Sequence, residues 1–234
     1  MSVHLVGVFF PRMILLQQFI GEFCLKDTGN MHPTVFNALH TSSQEELENL
    51  YKVWAANYDQ DVVGLIGYVG HSITTNLLVK YLHNTKAKIL DAGCGTGLVG
   101  ELLHKENFNN IVGIDFSQPM LDQALKKNIY RSLFQADLTK TLEFDDNAFD
   151  AIACAGTFTC GHVGPEALFE LIRVSKAGGY IVFTVREQEW DLLPYDKIVV
   201  ELEERYLWRC LERFSTKYNV AEEANCQLCI YQVC

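Results

Sequence analysis

The 234-residue sequence lacks several features, and each absence excludes a class of protein. No apolar run reaches the roughly 20 uninterrupted residues that a membrane-spanning helix requires. No cluster of lysine and arginine is present and the net charge is −10, so a phosphate backbone is not the expected partner. The eight cysteines follow no regular spacing, which favours reduced thiols and a cytoplasmic or nuclear location. We therefore expect a small-molecule substrate, no nucleic acid and no membrane span.

The first 42 residues differ in pattern from the rest of the chain. Two apolar stretches, residues 5–10 and 13–20, are separated by Pro11 and Arg12. Neither a basic start before the apolar run nor a small-residue cleavage site is present, which argues against a secretory signal peptide. We expect residues 1–42 to be an N-terminal extension that the fold does not need, with Met31 as a working start. The alternative is an arm that binds a membrane surface or a partner. Residues 43–234 form the predicted domain.

From Lys86 onwards, short apolar runs alternate with amphipathic runs, which is typical of βα units and a parallel sheet. Predicted strands cover residues 87–90, 111–114, 131–136, 149–154 and 180–185. Predicted helices cover residues 98–106, 118–127 and 165–175, the last of them ending near Gly178 and Gly179. A helix over 195–205 then precedes two strands, over 208–218 and 227–233, which suit an antiparallel hairpin at a sheet edge. Upstream, residues 43–58 and 62–82 are predicted to be helical and to pack over the carboxyl end of the sheet.

The strongest local signal is the glycine turn Asp91-Ala-Gly-Cys-Gly-Thr-Gly97, between the first predicted strand and a predicted helix. Glycine permits a tight turn and a close approach of the backbone to a ligand, and a helix start offers unpaired N–H groups. The ends of parallel strands are where open α/β sheets bind ligands. Two registers are open, because Gly93, Gly95 and Gly97 fit a methyltransferase turn whereas Gly95, Gly97 and Gly100 fit a dinucleotide turn.

Three carboxylates, Asp91, Asp115 and Asp137, close or follow three successive strands. Asp91 disfavours a nearby pyrophosphate and favours a ligand with an ammonium group. Asp115 can accept hydrogen bonds from both ribose hydroxyls, which suits either class of ligand. Asp137 is placed to accept from an adenine amino group. Each alone could be a turn or cap residue, but the set favours one pocket for a sulfonium nucleoside. The chain also lacks the Tyr-x-x-x-Lys pair of short-chain dehydrogenases.

These residues resemble the motifs of class I S-adenosylmethionine-dependent methyltransferases, and the similarity runs from about Asn57 to the C-terminus. It rests on the glycine turn and on the strand ends Gly113–Ser117, Ala136–Leu138 and Phe149–Ile152. Residues 54–62 and 161–163 carry a narrower resemblance to methyltransferase-like proteins of that family. The resemblance implies S-adenosyl-L-methionine as the cofactor. It also implies an α/β, Rossmann-like, doubly wound sheet of seven strands in the order 3-2-1-4-5-7-6, with strand 7 antiparallel and helices on both faces.

The same resemblance implies a set of cofactor-binding residues, which are Tyr58, Asp91, Gly93, Gly95, Gly97, Asp115, Phe116, Asp137 and Leu138. The glycines and Asp91 would face the methionine part of the cofactor, Asp115 the ribose and Asp137 the adenine amino group. Phe116 would lie against the adenine face, and Leu138 would donate its backbone N–H. Tyr58 would close over the methionine end from the N-terminal helix.

The sequence identifies neither a catalytic residue nor a metal site. Methyl transfer from a sulfonium depends chiefly on positioning, and a base is needed only if the acceptor must lose a proton. The exit of the fourth strand lacks the Asn/Asp-Pro-Pro-Tyr/Phe motif of amide and adenine methylases, which disfavours those acceptors. His162 is a candidate base and Cys160 a candidate nucleophile, although a solvated histidine and a plain thiol are the simpler interpretations. Cys226 and Cys229 point to opposite faces of a strand and are interpreted as packing.

The sequence thus predicts an S-adenosylmethionine-dependent methyltransferase that acts on a small molecule. Two alternatives stay open. A non-catalytic S-adenosylmethionine-binding protein would account for the missing catalytic side chain. An NAD-dependent oxidoreductase would also use a glycine turn and a carboxylate at the end of the second strand, but it would need a second βαβαβ half for the nicotinamide.

Overall fold

Seven strands form one sheet in the computed structural model, which describes residues 44–158 and 163–234. The order is β3-β2-β1-β4-β5-β7-β6, and β7 runs antiparallel to both of its neighbours. The strands are β1 (Ile89–Ala92), β2 (Ile111–Asp115), β3 (Ser132–Gln135), β4 (Phe149–Phe158), β5 (Ser175–Arg186), β6 (Trp208–Asn219) and β7 (Ala224–Val233). The predicted fold class and strand order are confirmed. The expected extension, residues 1–42 with Met31, lies outside the described residues.

Helices flank the sheet and lead into its carboxyl edge. They are α1 (Gln44–Trp54), a π-helix (Gln60–Leu65), α2 (Gly70–Tyr81), α3 (Leu98–Lys105), α4 (Gln118–Lys126), α5 (Ala167–Val174), α6 (Glu187–Leu192) and α7 (Tyr195–Glu204). Pro119 lies in the first turn of α4, where a missing N–H has no cost. Among the described residues, no helix is long and apolar enough to cross a membrane.

The predicted single helix over residues 62–82 is wrong, because the chain breaks between the π-helix and α2. Gly67 has a φ of +67°, a left-handed conformation that ends the helical path. The next residue, Tyr68, forms an isolated antiparallel bridge with Asn219 at the end of β6. This bridge connects the N-terminal segment to the hairpin of β6 and β7. The connection lies at the edge of the sheet where the candidate site lies.

The helix predicted over residues 165–175 ends within one residue of its predicted end, but Gly178 and Gly179 are not what stops it. Helix α5 ends at Val174, and Gly178 and Gly179 lie inside β5. The N–H groups of residues 147 and 148 donate to the carbonyls of Arg173 and Val174 at 3.0 and 2.8 Å, so the chain enters the sheet before the glycines. Strand β4 is longer than predicted and continues past a register shift to Phe158.

Apolar layers cover both faces of the sheet, as the nearly unbroken apolar sequence of β5 predicts. Ile181 and Phe183 contribute to one layer and Val182 to the other. Trp208 and Tyr231 stack at 4.0 Å between ring centroids on the first of these layers. With both faces packed, the free end of the sheet is its carboxyl edge, where the glycine turn lies.

Candidate cofactor-binding site

The glycine turn (residues 93–97) leaves β1 through three residues of left-handed conformation. The φ angles of Gly93, Gly95 and Gly97 are +71°, +53° and +93°. A Cβ atom on Gly93 would lie 2.1 Å from Thr157 Oγ1, so a side chain cannot fit there. A Cβ atom on Gly95 would meet no atom within 4 Å. Gly95 therefore borders open space, which a ligand close to the backbone would fill.

Asp115, at the end of β2, is bonded directly to this turn. Its Oδ2 accepts from the Gly95 N–H at 2.8 Å, and its Oδ1 accepts from the Ser117 N–H at 2.8 Å. Burial raises the pKa of Asp115, and the backbone hydrogen bonds offset part of the rise. A carboxylate offers about four lone-pair positions, so Asp115 keeps acceptor capacity for further donors such as ribose hydroxyls.

Asp91 is 1% exposed and is bonded to the first turn of α3. Its Oδ2 accepts from the Gly100 N–H at 3.1 Å and from the Tyr130 hydroxyl at 2.6 Å. Its Oδ1 has no hydrogen-bond partner within the described ranges. Burial raises the pKa of Asp91 from its ordinary value of 3.8 to about 7. The carboxyl group thus stabilises the start of α3 after the turn and retains one acceptor atom for a ligand. Its contact with an ammonium group stays a prediction.

Tyr58 lies in the segment that follows α1, within electrostatic range of Asp115. Its ring packs edge-on against Trp54 of α1, with 4.7 Å between the ring centroids. Burial raises the pKa of Tyr58, and the charge of Asp115 raises it further, so the hydroxyl is neutral and close to that carboxylate. The N-terminal segment therefore brings an aromatic side chain to the predicted ribose position.

A polar latch, formed by Asp59, Thr96 and Lys127, fastens this segment to the glycine turn. The Thr96 hydroxyl donates to Asp59 Oδ1, and Lys127 Nζ lies 2.8 Å from Asp59 Oδ2. Lys127 also pairs with Glu101 at 3.2 Å. The sequence gives no signal for the three latch residues, because partners 37 and 68 positions apart produce no local pattern.

Asp59→Ala is expected to weaken binding of S-adenosylhomocysteine about tenfold, because the N-terminal segment loses its attachment to the turn. Calorimetric titration measures the change. Asp122→Ala is the matched control, since Asp122 bonds only to Gln118 on the exposed side of α4. Unchanged affinity in Asp59→Ala, or an equal loss in both variants, would count against the latch.

The ends of β2 and β3 lie side by side. The Ala136 N–H donates to the Asp115 carbonyl at 3.0 Å, and Gln135 Nε2 donates to the Phe116 carbonyl at 2.9 Å. These bonds place Phe116 and the pair Asp137–Leu138 at the same edge as the glycine turn. Their contacts with an adenine ring stay predictions.

The carboxylate of Asp137 is engaged in its own turn. It accepts from the Thr139 N–H at 2.9 Å and pairs with Lys140 at 3.0 Å. Burial raises the pKa of Asp137, but these interactions outweigh burial and lower the pKa below its ordinary value. Leu138 is buried beside it. An ionised Asp137 can still accept from an amino group.

Two predicted candidates, Cys160 and His162, lie outside the described residues. Cys226 and Cys229 are both buried in β7. Within residues 44–158 and 163–234, no group of three or more histidine, cysteine, aspartate or glutamate side chains is arranged to hold a metal ion.

Residues 90–183 match a family model described as a methyltransferase domain. The matched range contains the glycine turn, Asp115 and Asp137, and it includes strands β2, β3 and β4. Residues 90–183 thus carry a methyltransferase domain, and the strand order of the sheet is the one expected for class I S-adenosylmethionine-dependent methyltransferases.

Relatives with this methyltransferase domain include methyltransferase-like protein 27 of Homo sapiens, 35% identical over 147 residues, which are 62% of this chain and 59% of that protein. The ubiquinone/menaquinone biosynthesis C-methyltransferase UbiE of Bdellovibrio bacteriovorus is 34% identical over 152 residues, 61% of this chain and 63% of that protein. The chain thus spans about three fifths of the length of these relatives. A TehB-like SAM-dependent methyltransferase of Corynebacterium glutamicum shares the fold, with a TM-score of 0.55 at 22% identity, over 78% of this chain and 99% of that one.

The methyltransferase domain fits S-adenosyl-L-methionine on structural grounds. Gly95 faces open space, Asp91 retains a buried acceptor atom, and Asp115 retains lone pairs beside the turn. In addition, β5 is followed by the antiparallel pair β7 and β6 and not by a second set of parallel strands. The arrangement thus disfavours the dinucleotide register of the glycines.

Proposed function

We propose that this protein is an active enzyme that methylates a small-molecule acceptor. The observation that carries the proposal is the direct hydrogen bond between Gly95 and Asp115, which joins two strand ends into one binding edge beside Tyr58. UbiE, by its name, belongs to ubiquinone and menaquinone biosynthesis, and those products are small molecules. The net charge of −10 also favours a small acceptor over a nucleic acid.

When bound, S-adenosyl-L-methionine supplies an electrophilic methyl group on a sulfonium, which an acceptor lone pair takes while the bonding electrons stay with sulfur. The glycine turn and Asp91 would hold the methionine part of the cofactor, and Asp115 would hold the ribose. Tyr58 and the latched N-terminal segment would exclude water and fix the orientation of the bound molecule. Positioning of this kind supplies a large part of the barrier reduction. The tyrosine hydroxyls near the site are neutral donors, since burial raises the pKa of Tyr58, Tyr68 and Tyr218.

The decisive experiment combines calorimetry with a methyl-transfer assay. Wild-type protein is expected to bind S-adenosylhomocysteine and not NAD. Asp115→Ala is expected to raise the dissociation constant at least 100-fold, because the variant loses both a ligand acceptor and the bond to Gly95. Asp145→Ala, at an exposed position, is the control and should bind normally.

Transfer of labelled methyl groups to a metabolite extract tests catalysis separately. Binding of NAD without S-adenosylhomocysteine would overturn the proposal in favour of an oxidoreductase. Binding of S-adenosylhomocysteine without any labelled product would favour the non-catalytic alternative.

A further inference from the structure

A buried arginine lies at the carboxyl end of β5, apart from the residues assigned to the cofactor. Arg186 is the last residue of that strand, is 5% exposed, and lies opposite Cys226 of β7. The preceding residue, Val185, pairs with Phe158 at the end of β4. Because β1, β4 and β5 are parallel, Arg186 ends at the same edge of the sheet as the glycine turn.

The guanidinium of Arg186 has more donors than partners. An arginine side chain carries five N–H donors. In the part of the chain that the structure describes, the side chain of Arg186 makes no hydrogen bond, and its ion pair with Glu189 is long, with 3.9 Å between Nε and Oε2. A buried charge is costly unless it is paired and hydrogen-bonded. Arg186 therefore has donors available for a bound molecule.

Arg173 shows how a structural arginine of this domain is satisfied. Its guanidinium bonds to the carboxylates of Glu170 and Asp146 and to the carbonyls of Phe144 and Leu142, at 2.6 to 3.0 Å. Arg173 has ample partners although it is more exposed than Arg186. The contrast points to a ligand-binding position for Arg186.

Two tyrosines lie beside Gly156 of β4, the strand next to the one that Arg186 ends. The rings of Tyr68 and Tyr218 meet edge-on, with 5.1 Å between centroids. Both hydroxyls approach Gly156 of β4 closely. A Cβ atom placed on Gly156 would lie 2.8 Å from the Tyr68 hydroxyl and 3.3 Å from the Tyr218 hydroxyl. Burial raises the pKa of Tyr218 and the charge of Arg186 partly offsets the rise, so the guanidinium lies near that hydroxyl. Arg186 and the two tyrosines together form what we name the acceptor wall.

The acceptor wall adjoins the cofactor site at the methionine end. Thr157, which follows Gly156, donates to the Ala92 carbonyl at 3.2 Å and lies against Gly93 of the glycine turn. Tyr58 and Tyr68 pack against the same small apolar cluster, which is formed by Trp54, Val62 and Ile66. A molecule bound along the wall would therefore lie next to the position of the methyl group.

The charge of this region selects a monoanion. Lys127 is already paired with Asp59 and Glu101, whereas Arg186, whose ion pair with Glu189 is long at 3.9 Å, is the cation that belongs to the acceptor wall. A phosphate monoester would bring a charge of about −1.5 to −2, more than one guanidinium balances. A carboxylate carries a single charge and matches the planar guanidinium through two parallel hydrogen bonds.

We propose that Arg186 binds a carboxylate group of the methyl acceptor and that Tyr68 and Tyr218 line the space between this group and the glycine turn. The assignment rests on the proposed function, since it names the class of acceptor for that same site. It makes Arg186 a residue that determines specificity for small carboxylic acids over their uncharged analogues.

The test uses protein saturated with S-adenosylhomocysteine and a panel of aliphatic and aromatic monocarboxylates, each paired with its amide. Binding is measured by calorimetry and ligand-observed NMR. At least one carboxylate is expected to bind tenfold or more tightly than its amide. Arg186→Gln should remove that preference, Arg186→Lys should retain part of it, and Arg209→Gln, an exposed control on β6, should leave it unchanged.

The affinity for S-adenosylhomocysteine separates this inference from the proposed function. Normal cofactor affinity with no preference for any carboxylate over its amide would overturn the inference alone. So would a preference that survives in Arg186→Gln, or tighter binding of phenyl phosphate than of benzoate. Because the carboxylate and amide comparison uses wild-type protein, the test holds even if Arg186→Gln fails to fold. Loss of cofactor binding in the wild type would instead overturn the proposed function.

Discussion

Gly95→Ala is expected to abolish measurable binding of S-adenosyl-L-methionine while the domain still folds. The new Cβ atom would meet no protein atom within 4 Å, so the protein itself accommodates it. It would instead project into the open space beside the hydrogen bond to Asp115, where the ligand must approach the backbone. We expect at least a 100-fold rise in the dissociation constant by calorimetry. The left-handed φ of +53° adds strain of about 1–2 kcal/mol, seen as a modest loss of thermal stability.

Gly178→Ala is the matched control for this prediction. Gly178 also has a positive φ, +80°, and also borders open space, but it lies in β5 at the opposite end of the strand from Arg186. It should lose similar stability and bind the cofactor normally. The prediction fails if Gly95→Ala binds within threefold of wild type, or if both variants lose affinity equally.

Asp91→Asn is expected to stabilise the ligand-free protein above neutral pH. The folded pKa is about 7 and the ordinary value is 3.8, so between these values the folded state holds a proton that the unfolded state has released. The free energy of unfolding of the wild type therefore falls as pH rises through that window. Asparagine keeps an acceptor for the Gly100 N–H and the Tyr130 hydroxyl without the buried charge. At pH 8 we expect a gain on the order of 3 kcal/mol.

Urea unfolding from pH 4.5 to 8.5 measures this effect, with Asp145→Asn as an exposed control. The difference between Asp91→Asn and wild type should grow with pH up to about 7 and then level off. A constant difference would show that the carboxyl group does not titrate in this range.

The same variant should bind S-adenosylhomocysteine at least tenfold more weakly if Asp91 Oδ1 receives the ammonium group of the ligand. Unchanged affinity would assign Asp91 a purely structural role.

The sheet could be predicted from the sequence because its strands are short, apolar and separated by regular amphipathic helices. Burial on both faces makes residues 180–185 of β5 almost entirely apolar, and the change of pattern after residue 186 indicates the antiparallel hairpin. The glycine turn and the strand-terminal Asp115 follow from the same regularity, since parallel strands end at one edge.

Features that depend on distant partners could not be predicted. The sequence does not reveal the break at Gly67, because the apolar pattern continues across it. The break accompanies the bridge between Tyr68 and Asn219, two residues that are 151 positions apart in the chain. The pairing of Asp59 with Thr96 and the isolation of Arg186 likewise arise from tertiary packing. A sequence pattern gives the spacing of residues but not the number of partners a buried side chain acquires.

The bridge between Tyr68 and Asn219 has a consequence for divergence within the family. Tyr68, Arg186 and Tyr218 all lie outside residues 90–183, the segment that matches the family model. The residues of the proposed acceptor wall thus come from both flanks of the matched segment, whereas the glycine turn, Asp115 and Asp137 lie within it. If Arg186 binds the acceptor as proposed, substitutions at Tyr68, Arg186 or Tyr218 can change the acceptor while the segment that carries the glycine turn, Asp115 and Asp137 stays the same.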